Sequence, residues 1–433
     1  MANQDFSTLA IRAGYDPSKH FYSVNPPIYQ TAGFDLVDID RTRRLWTGTE
    51  GGGIYTRVGN PTGGVLEDRF TQLEGGKAAV AVSSGMAAIS YTLLALGENG
   101  GNIVSSSSLY GAAQLALGSF YKNFGIETRF VKNRDDVAEY ESLIDENTRA
   151  IYLESISNPN IELYDIDAIA KVAHKYGIPV VVDNTVATPY LYKPFEHGAD
   201  ITVYSATKEI NGHGNTIAGI VVEKGDFHYD EKRFEHFYRK EWKMRDLQDN
   251  PRSPIEFIPG APLIATLKIF FTEFFGGALG SFESFLTLQG LATLPLRLDR
   301  KLETTKKLIE YLENNPHVEW VRHPYAKGSR YRELADRDFP KGPGALFSFG
   351  FGGDREKLGK FIKSLNNVSY HVNIGDVRTL ITNSQENTHS ELPGDIQELA
   401  GIDKNLLRVS VGLEDADDLI ADFEQAFKKA FEE

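Results

Sequence analysis

The 433-residue chain contains no cysteine. Disulfides, thiolate metal sites and cysteine nucleophiles are therefore excluded, and any sulfur chemistry must use sulfur carried in by a substrate. The chain also lacks a G-x-G-x-x-G following a strand pattern and a P-loop lysine, which argues against a non-catalytic nucleotide-binding α/β protein. Long apolar runs are missing too. The most apolar stretch, Ala261 to Gly280, is interrupted by Lys268 and Glu273, and Met1-Ala2-Asn3-Gln4-Asp5-Phe6 has neither the basic nor the apolar region of a signal peptide. Basic charge is scarce: 46 Lys+Arg against 60 Asp+Glu leave a formal net charge of −14, which argues against a nucleic-acid backbone or an anionic membrane as the main partner. What remains is an expected cytoplasmic protein acting on a small molecule.

A chain of this length exceeds a single core and should divide into two or more domains. Residues 1–62 are rich in Gly, Pro, Asn and Thr and read as an extended arm, because Asn25-Pro26-Pro27 and Gly51-Gly52-Gly53 break any long periodic element. Residues 63–280 form the expected main α/β domain. Short strands are expected at Ala78–Val82, Asn102–Ser105, Glu127–Val131, Ala150–Glu154, Pro179–Asp183 and Ala199–Tyr204. Between most of them lie helical patterns such as Met86–Leu96, Tyr110–Phe124, Asp136–Ile144 and Ile166–Tyr176. This alternation predicts a mostly parallel sheet covered on both faces. The charged, aromatic segment Phe227–Ser253 reads as a peripheral insertion. Residues 281–433 are expected to be a long connecting helical pattern, Phe282–Asn314, followed by a smaller α/β domain. Its strands are expected near Ala345–Phe351 and Leu407–Val411, and its helices near Glu356–Leu365 and Ala416–Phe431.

Ligands of such sheets sit at the carboxyl ends of the strands, and chemically capable residues recur there. Lys208 ends Tyr204-Ser205-Ala206-Thr207-Lys208; its amine could hold an aldehyde cofactor, with Ser205 and Thr207 offering hydroxyls to a phosphate, or it could be a solvated lysine at a strand end. Ser84-Gly85-Met86 opens a helix whose first N–H groups make an anion site, or Ser83 or Ser84 is an ordinary N-cap. Asp183 closes an apolar strand, where a carboxylate is costly unless paired. A protonated pyridine nitrogen would suit it; a helix N-cap or a metal ligand are the alternatives, and no cluster with metal-ligand spacing surrounds it. Tyr110 could stack on a planar ring or serve packing. Arg408 interrupts an apolar strand, as a clamp on a substrate carboxylate or as half of an internal salt bridge. Tyr55 and Arg57, two residues apart in the arm, suit a phosphate or belong to an exposed loop.

Taken in order, several motifs resemble the pyridoxal-phosphate enzymes of cysteine and methionine metabolism. They are Tyr55-x-Arg57 with Gly59-Asn60-Pro61-Thr62, Ser84-Gly85-Met86, Glu154-Ser155-Ile156-Ser157-Asn158-Pro159, Asp183-Asn184-Thr185, Ser205-Ala206-Thr207-Lys208 and Arg408-Val409-Ser410-Val411-Gly412. The resemblance implies an α/β transferase of the aspartate aminotransferase type (fold type I) with pyridoxal 5′-phosphate as cofactor and no metal. It implies that Lys208 carries the cofactor and Asp183 pairs its pyridine nitrogen. Ser84, Gly85, Met86, Thr185, Ser205 and Thr207 would surround the cofactor, with Tyr55 and Arg57 reaching over from a neighbouring subunit of a homotetramer. Tyr110 would stack on the ring. Asn158, Asn373, Tyr55 and Arg408 would meet the substrate.

Within that group, Gly212-His213-Gly214-Asn215-Thr216, Gly290–Arg297 and Asn373–Leu380 look most like the O-acetylhomoserine sulfhydrylases. The expected reaction is γ-replacement on O-acetyl-L-homoserine by sulfide or methanethiol, with γ-elimination or cystathionine chemistry on the same scaffold as the alternative. The stretch Thr382–Asn387 departs from the His-Pro-Ala pattern usual in the family before Thr388-His389, in the part of the chain expected to shape the substrate pocket.

Overall fold

The computed structural model describes residues 4–432 except Asn99, His389, Leu392, Pro393, Asp395, Ile396, Glu398 and Leu399. Strands β1 (Ala78–Val82), β2 (Gly101–Ser106), β3 (Ile126–Val131), β4 (Thr148–Glu154), β5 (Val180–Asp183), β6 (Ile201–Ser205) and β7 (Gly219–Glu223) form one seven-stranded sheet. Its order is β1-β7-β6-β5-β4-β2-β3. Neighbours are parallel except where β7 runs antiparallel to β1 and β6. Side chains of successive strand residues enter opposite faces, and both faces are apolar. Ile151, Leu153, Val180 and Val182 pack toward the helices Pro61–Glu74, Ile166–Lys175 and Ser281–Ala292. Ala150, Tyr152 and Val181 pack toward the helix Gly85–Leu96.

Strand β7 has no counterpart in the sequence reading, although Ile220-Val221-Val222 is as β-branched as its neighbours. It pairs with β6 so that Ser205 lies opposite Gly219. Residues 206–218 therefore connect two adjacent strands across the carboxyl end of the sheet, and Lys208 sits in that connection.

Two further expectations are corrected. Segment 227–253 is not peripheral: Tyr229, Phe234, Phe237 and Met244 are buried, and the three aromatics join the core on the Gly85–Leu96 face. Charged neighbours in sequence concealed a large apolar contribution. The helical pattern 282–314 is two helices, Ser281–Ala292 and Leu294–Glu313, because Pro295 is placed in the first turn of a new helix and cannot continue the old one. The pattern 110–124 is helical as expected, although only Gly111–Leu115 is α-helix and the chain continues as a π-helical turn Ala116–Phe120 and a 3-10 turn Tyr121–Phe124.

A second, five-stranded sheet is built from β8 (Val318–Arg322), β9 (Leu346–Phe351), β10 (Ser369–Tyr370), β11 (Leu380–Asn383) and β12 (Leu406–Ser410), in the order β10-β11-β12-β9-β8. Leu358 and Phe361 of the helix Arg355–Ser364, with Leu419, Phe423 and Phe427 of the helix Ala416–Phe431, cover it. The amphipathic spacing of both helices made them legible in advance.

A buried row of hydrogen bonds ties the carboxyl ends of the central strands together. Ser155 Oγ donates to Asn184 Oδ1 (2.7 Å), Asn184 Nδ2 to Tyr204 Oη (3.1 Å), and Tyr204 Oη to Glu74 Oε2 (2.6 Å). The helix Ser281–Ala292 closes on the same region through Gly290, where an added Cβ would lie 2.1 Å from the Asn211 carbonyl oxygen. Gly290→Ala should therefore lower the thermal unfolding midpoint. Gly359→Ala, with open space around its Cβ, should stabilise its helix by about 0.5–1 kcal/mol. Paired thermal melts check both.

Candidate active site

A cleft of about 1130 Å³ opens between the carboxyl end of the first sheet and the loops of the second. Its walls bring together Ser84, Gly85, Met86, Tyr110, Asn158, Asp183, Thr185, Ser205, Thr207, Lys208, Asn373 and Arg408. Tyr55 and Arg57 do not line it. Tyr55 is half-exposed, and Arg57 lies over the Tyr55 ring and donates from Nη1 to the Glu273 carbonyl (2.7 Å).

One end of the cleft suits an anion. Ser84 caps the helix Gly85–Leu96, its Oγ accepting from Ala87 N (3.0 Å), so the N-cap reading holds. The cap leaves the N–H groups of Gly85 and Met86 without intrahelical partners. Gly85 is required by close approach, since a Cβ there would fall 2.5 Å from the Ser205 Cβ. Ser205 N donates to Thr185 Oγ1 (2.8 Å), which pins β6 beside β5. The Thr207 hydroxyl bonds to both backbone groups of Ala218.

The floor is acidic and buried. Asp183 accepts from Thr185 N (3.0 Å), and no described cation pairs with it. Burial raises its pKa to about 6, against the lowering effect of the Thr185 bonds. Opposite it in the β4–β5 register stands Glu154, whose two oxygens accept from Tyr110 N (2.7 Å) and Asn158 N (3.2 Å). Burial first, and the Asp183 charge second, push the Glu154 pKa well above the carboxylate range. Burial thus disfavours ionisation of both adjacent acids, and the Asp183 charge adds to that effect at Glu154.

Facing the floor are two cations. Arg408 is 2% exposed. Its Nη1 donates to Asn158 Oδ1 (3.0 Å) and its Nη2 to the carbonyls of Val372 (3.2 Å) and Asn373 (3.1 Å), while its buried Nε has no hydrogen-bond partner. No described carboxylate pairs with it, so the internal salt bridge left open by the sequence is not formed. Burial lowers its pKa to about 10. Lys208 Nζ donates to Asn373 Oδ1. Burial, then the Arg408 charge, lower the lysine from 10.5 to about 8.

The sequence reading missed Glu154 as a site residue, although it quoted the motif that begins there. It also missed Thr216, which lines the cleft with a buried hydroxyl that has no hydrogen-bond partner; its signal was the glycine-rich run just before it. From the atypical 382–387 stretch, Glu386 and Asn387 reach the cleft wall, as does Thr388. Asn387 Nδ2 donates to Tyr370 Oη (2.7 Å) and Thr382 Oγ1 (2.9 Å). His389 lies outside the described residues. The group Asp167, His197 and Asp338 has carboxylate and imidazole atoms close enough for a metal, but Arg337 already bonds to Asp167 and Asp338.

The chain matches the family described as Cys/Met metabolism PLP-dependent enzyme over residues 7–428. It belongs to that family. Among relatives, an O-acetyl-L-homoserine sulfhydrylase of Leptospira meyeri is 37% identical over 97% of this chain and 96% of its own length. An L-methionine gamma-lyase of Fusobacterium nucleatum subsp. polymorphum is 37% identical over 98% of both. A solved structure from Campylobacter jejuni, 33% identical, superposes with a TM-score of 0.93 over 98% of this chain and 100% of its own, and it carries N′-pyridoxyl-lysine-5′-monophosphate. The fold is accordingly that of the fold type I pyridoxal-phosphate enzymes, the protein is an enzyme, and its cofactor is pyridoxal 5′-phosphate. The cleft fits that group on its own geometry, with the first-turn N–H groups of a helix for a phosphate, a buried carboxylate that no described cation pairs with, and a lysine amine in the same cleft. No described helix is long and apolar enough to cross a membrane.

A lysine attacks an aldehyde only as the free amine. If Lys208, with its pKa at about 8, is the capturing amine, apoprotein capture of the cofactor should rise roughly tenfold per pH unit below that value and level off above it. An unperturbed lysine would keep the rate rising to about pH 10. Stopped-flow growth of the visible band of lysine-bound cofactor, measured across this range, reads the difference.

Proposed function

We propose that the enzyme catalyses γ-replacement on O-acetyl-L-homoserine: hydrosulfide or methanethiol forms the new bond at Cγ, acetate departs, and L-homocysteine or L-methionine is released. The observation that carries an amino-acid substrate is the buried Arg408 guanidinium, which lacks a counter-ion among the described residues and shares a cleft with Lys208. Bidentate binding of an α-carboxylate would supply that counter-ion, and Asn158 and Asn373 adjoin the same position. The acyl ester and the free thiol follow from likeness to the Leptospira sulfhydrylase. A chain without cysteine suits a sulfur donor that arrives from solution.

In this reading Lys208 holds the cofactor, with Gly85, Met86, Ser205 and Thr207 around its phosphate, Asp183 at its pyridine nitrogen and Tyr110 against its ring. The bound cofactor supplies an electron sink for charge developing at the substrate's carbon. Once displaced by the substrate amine, Lys208 removes the proton at Cα and later moves one at Cβ, a task matched to an amine whose pKa is near neutrality. Arg408 holds the carboxylate still while those protons move.

Tyr55 and Arg57 act in the site of a second copy, within a homotetramer assembled from dimers. The support is that they lie outside their own cleft, on an arm (residues 1–62) that exposes Phe21, Tyr22, Val24 and Ile39. Residues 63–280 bind the cofactor, and residues 281–433 carry the carboxylate clamp.

A second reading, γ-elimination, is favoured by the gamma-lyase relative. Incubation with O-acetyl-L-homoserine plus sulfide, against L-methionine and cystathionine alone, separates them: acetate with homocysteine supports replacement, and a 2-oxo acid with ammonia from methionine supports elimination. Lys208→Ala should abolish turnover and the borohydride-reducible cofactor band. Arg408→Gln should raise KM for the amino acid about 10- to 100-fold, the worth of one or two charge-assisted hydrogen bonds. Steady-state kinetics with a cofactor-saturated variant checks that shift.

A further inference from the structure

The residue after Lys208 makes a buried ion pair that none of the roles above uses. Glu209 turns away from the cleft and accepts from Lys301 Nζ at 2.7 Å, with side chains 7% and 0% exposed. Lys301 stands four residues after Arg297 on the helix Leu294–Glu313, on the same face. Arg297 donates from Nη1 to the Glu209 carbonyl (2.8 Å) and from Nη2 to the carbonyls of Ile210 (3.1 Å) and Gly290 (2.8 Å). On the other side of the turn lies Gly375. A Cβ there would meet Glu209 N at 2.5 Å and Lys208 C at 2.8 Å, and Gly375 N is anchored to Ser410 Oγ (2.8 Å) on β12. The backbone of Lys208 and Glu209 is therefore held between a helix and a loop from distant parts of the chain.

Two charges removed from water cost more than an apolar pair of similar size would, and what an ion pair provides in return is direction. A glutamate anchored to one amine fixes the orientation of its own peptide plane, and hence that of the Lys208 carbonyl, which accepts from Gly212 N (2.7 Å). A stem of four methylenes then carries that orientation to Nζ. Packing alone would fill the same space without fixing a rotation.

We propose that Glu209 and Lys301 are positioning residues for Lys208: their ion pair sets the turn from which the amine reaches both the cofactor and the substrate's Cα. The inference rests on Lys208 as the capturing amine, which Lys208→Ala tests separately; capture that survives without Lys208 ends that reading and leaves this one without a target.

The test uses the full-length apoprotein and pyridoxal 5′-phosphate, followed by the loaded enzyme. Lys301→Met leaves Glu209 buried without a partner, and the rate of growth of the visible lysine-bound band should fall about 10- to 100-fold, as displacements of about 1 Å do at reacting groups. In the loaded enzyme kcat for O-acetyl-L-homoserine should fall similarly, with KM changed less than about threefold, because Arg408 is not on this turn. The charge-reversed pair Glu209→Lys with Lys301→Glu should recover capture to within about threefold of the original. Glu209→Met with Lys301→Met covers the case in which the single variant does not fold. It should melt at the original temperature yet capture cofactor about tenfold more slowly. An apolar pair that both melts and captures like the original protein would reduce the ion pair to packing and overturn the proposal, as would a charge-reversed pair that folds but recovers nothing.

Discussion

A guanidinium buried without a carboxylate is among the more costly arrangements a protein can hold, because the charge has left water and gained only neutral acceptors. Arg408 is in that position, on the interior strand β12 between β9 and β11. The neighbours that make it tolerable are oxygen dipoles: the Asn158 side chain from the first sheet and the Val372 and Asn373 carbonyls from the second. They also aim it, so its charge faces the cleft. Asp183 repeats the arrangement with opposite sign. The two charges do not form an ion pair with each other, and in the proposed roles each meets a different part of what binds. Cofactor and amino acid should accordingly stabilise the fold by more than their contact area suggests, through mass action on the native state alone.

The two sheets have separate cores, and the chemistry lies where they meet. The first sheet brings Asp183, Asn158 and the Lys208 connection to one level because parallel strands end together and β7 returns across that same end. The second sheet adds Arg408 and, through the loop leading to β11, Asn373. The Gly290 and Gly375 contacts press both units onto the turn 205–212. That convergence explains why residues remote in sequence, such as Arg297 and Lys301, bear on a single amine.

Much of this could be read from sequence, for physical reasons that differ by residue. The strands β4 and β5 were legible because a strand buried on both faces is a β-branched run bounded by turn residues. Lys208, Asp183 and Arg408 were legible because a charged group ending or interrupting such a run requires an explanation. What stayed hidden depended on pairing. Glu209 reads as an ordinary surface acid until Lys301 is brought to 2.7 Å. Glu154 reads as a strand end until its two oxygens are seen holding Tyr110 and Asn158. The aromatics of 227–253 looked peripheral because nothing local shows which sheet face they cover. Burial of Tyr229, Phe234 and Phe237 is a property of the assembled fold and not of their segment.

The shifts at Lys208 and Asp183 complete one another. Burial favours the neutral form of each, so the lysine falls from 10.5 to about 8 and the aspartate rises from 3.8 to about 6. At pH 7 a lysine with a pKa of about 8 is free amine for about a tenth of the time, roughly 300-fold more than at 10.5, since each unit is tenfold. An aspartate with a pKa of about 6 is still mostly ionised there. Stronger burial would have left the aspartate neutral at pH 7 and, in the proposed role, unable to hold a proton on the pyridine nitrogen. Thr185 opposes that outcome, because its N–H donates to the ionised form. Glu154, opposite in the register, is shifted the same way by its own burial and by the Asp183 charge, against the two backbone N–H groups that donate to it. One desolvated cleft therefore shifts both its lysine amine and its carboxylate toward their neutral forms while leaving the carboxylate mostly ionised at pH 7.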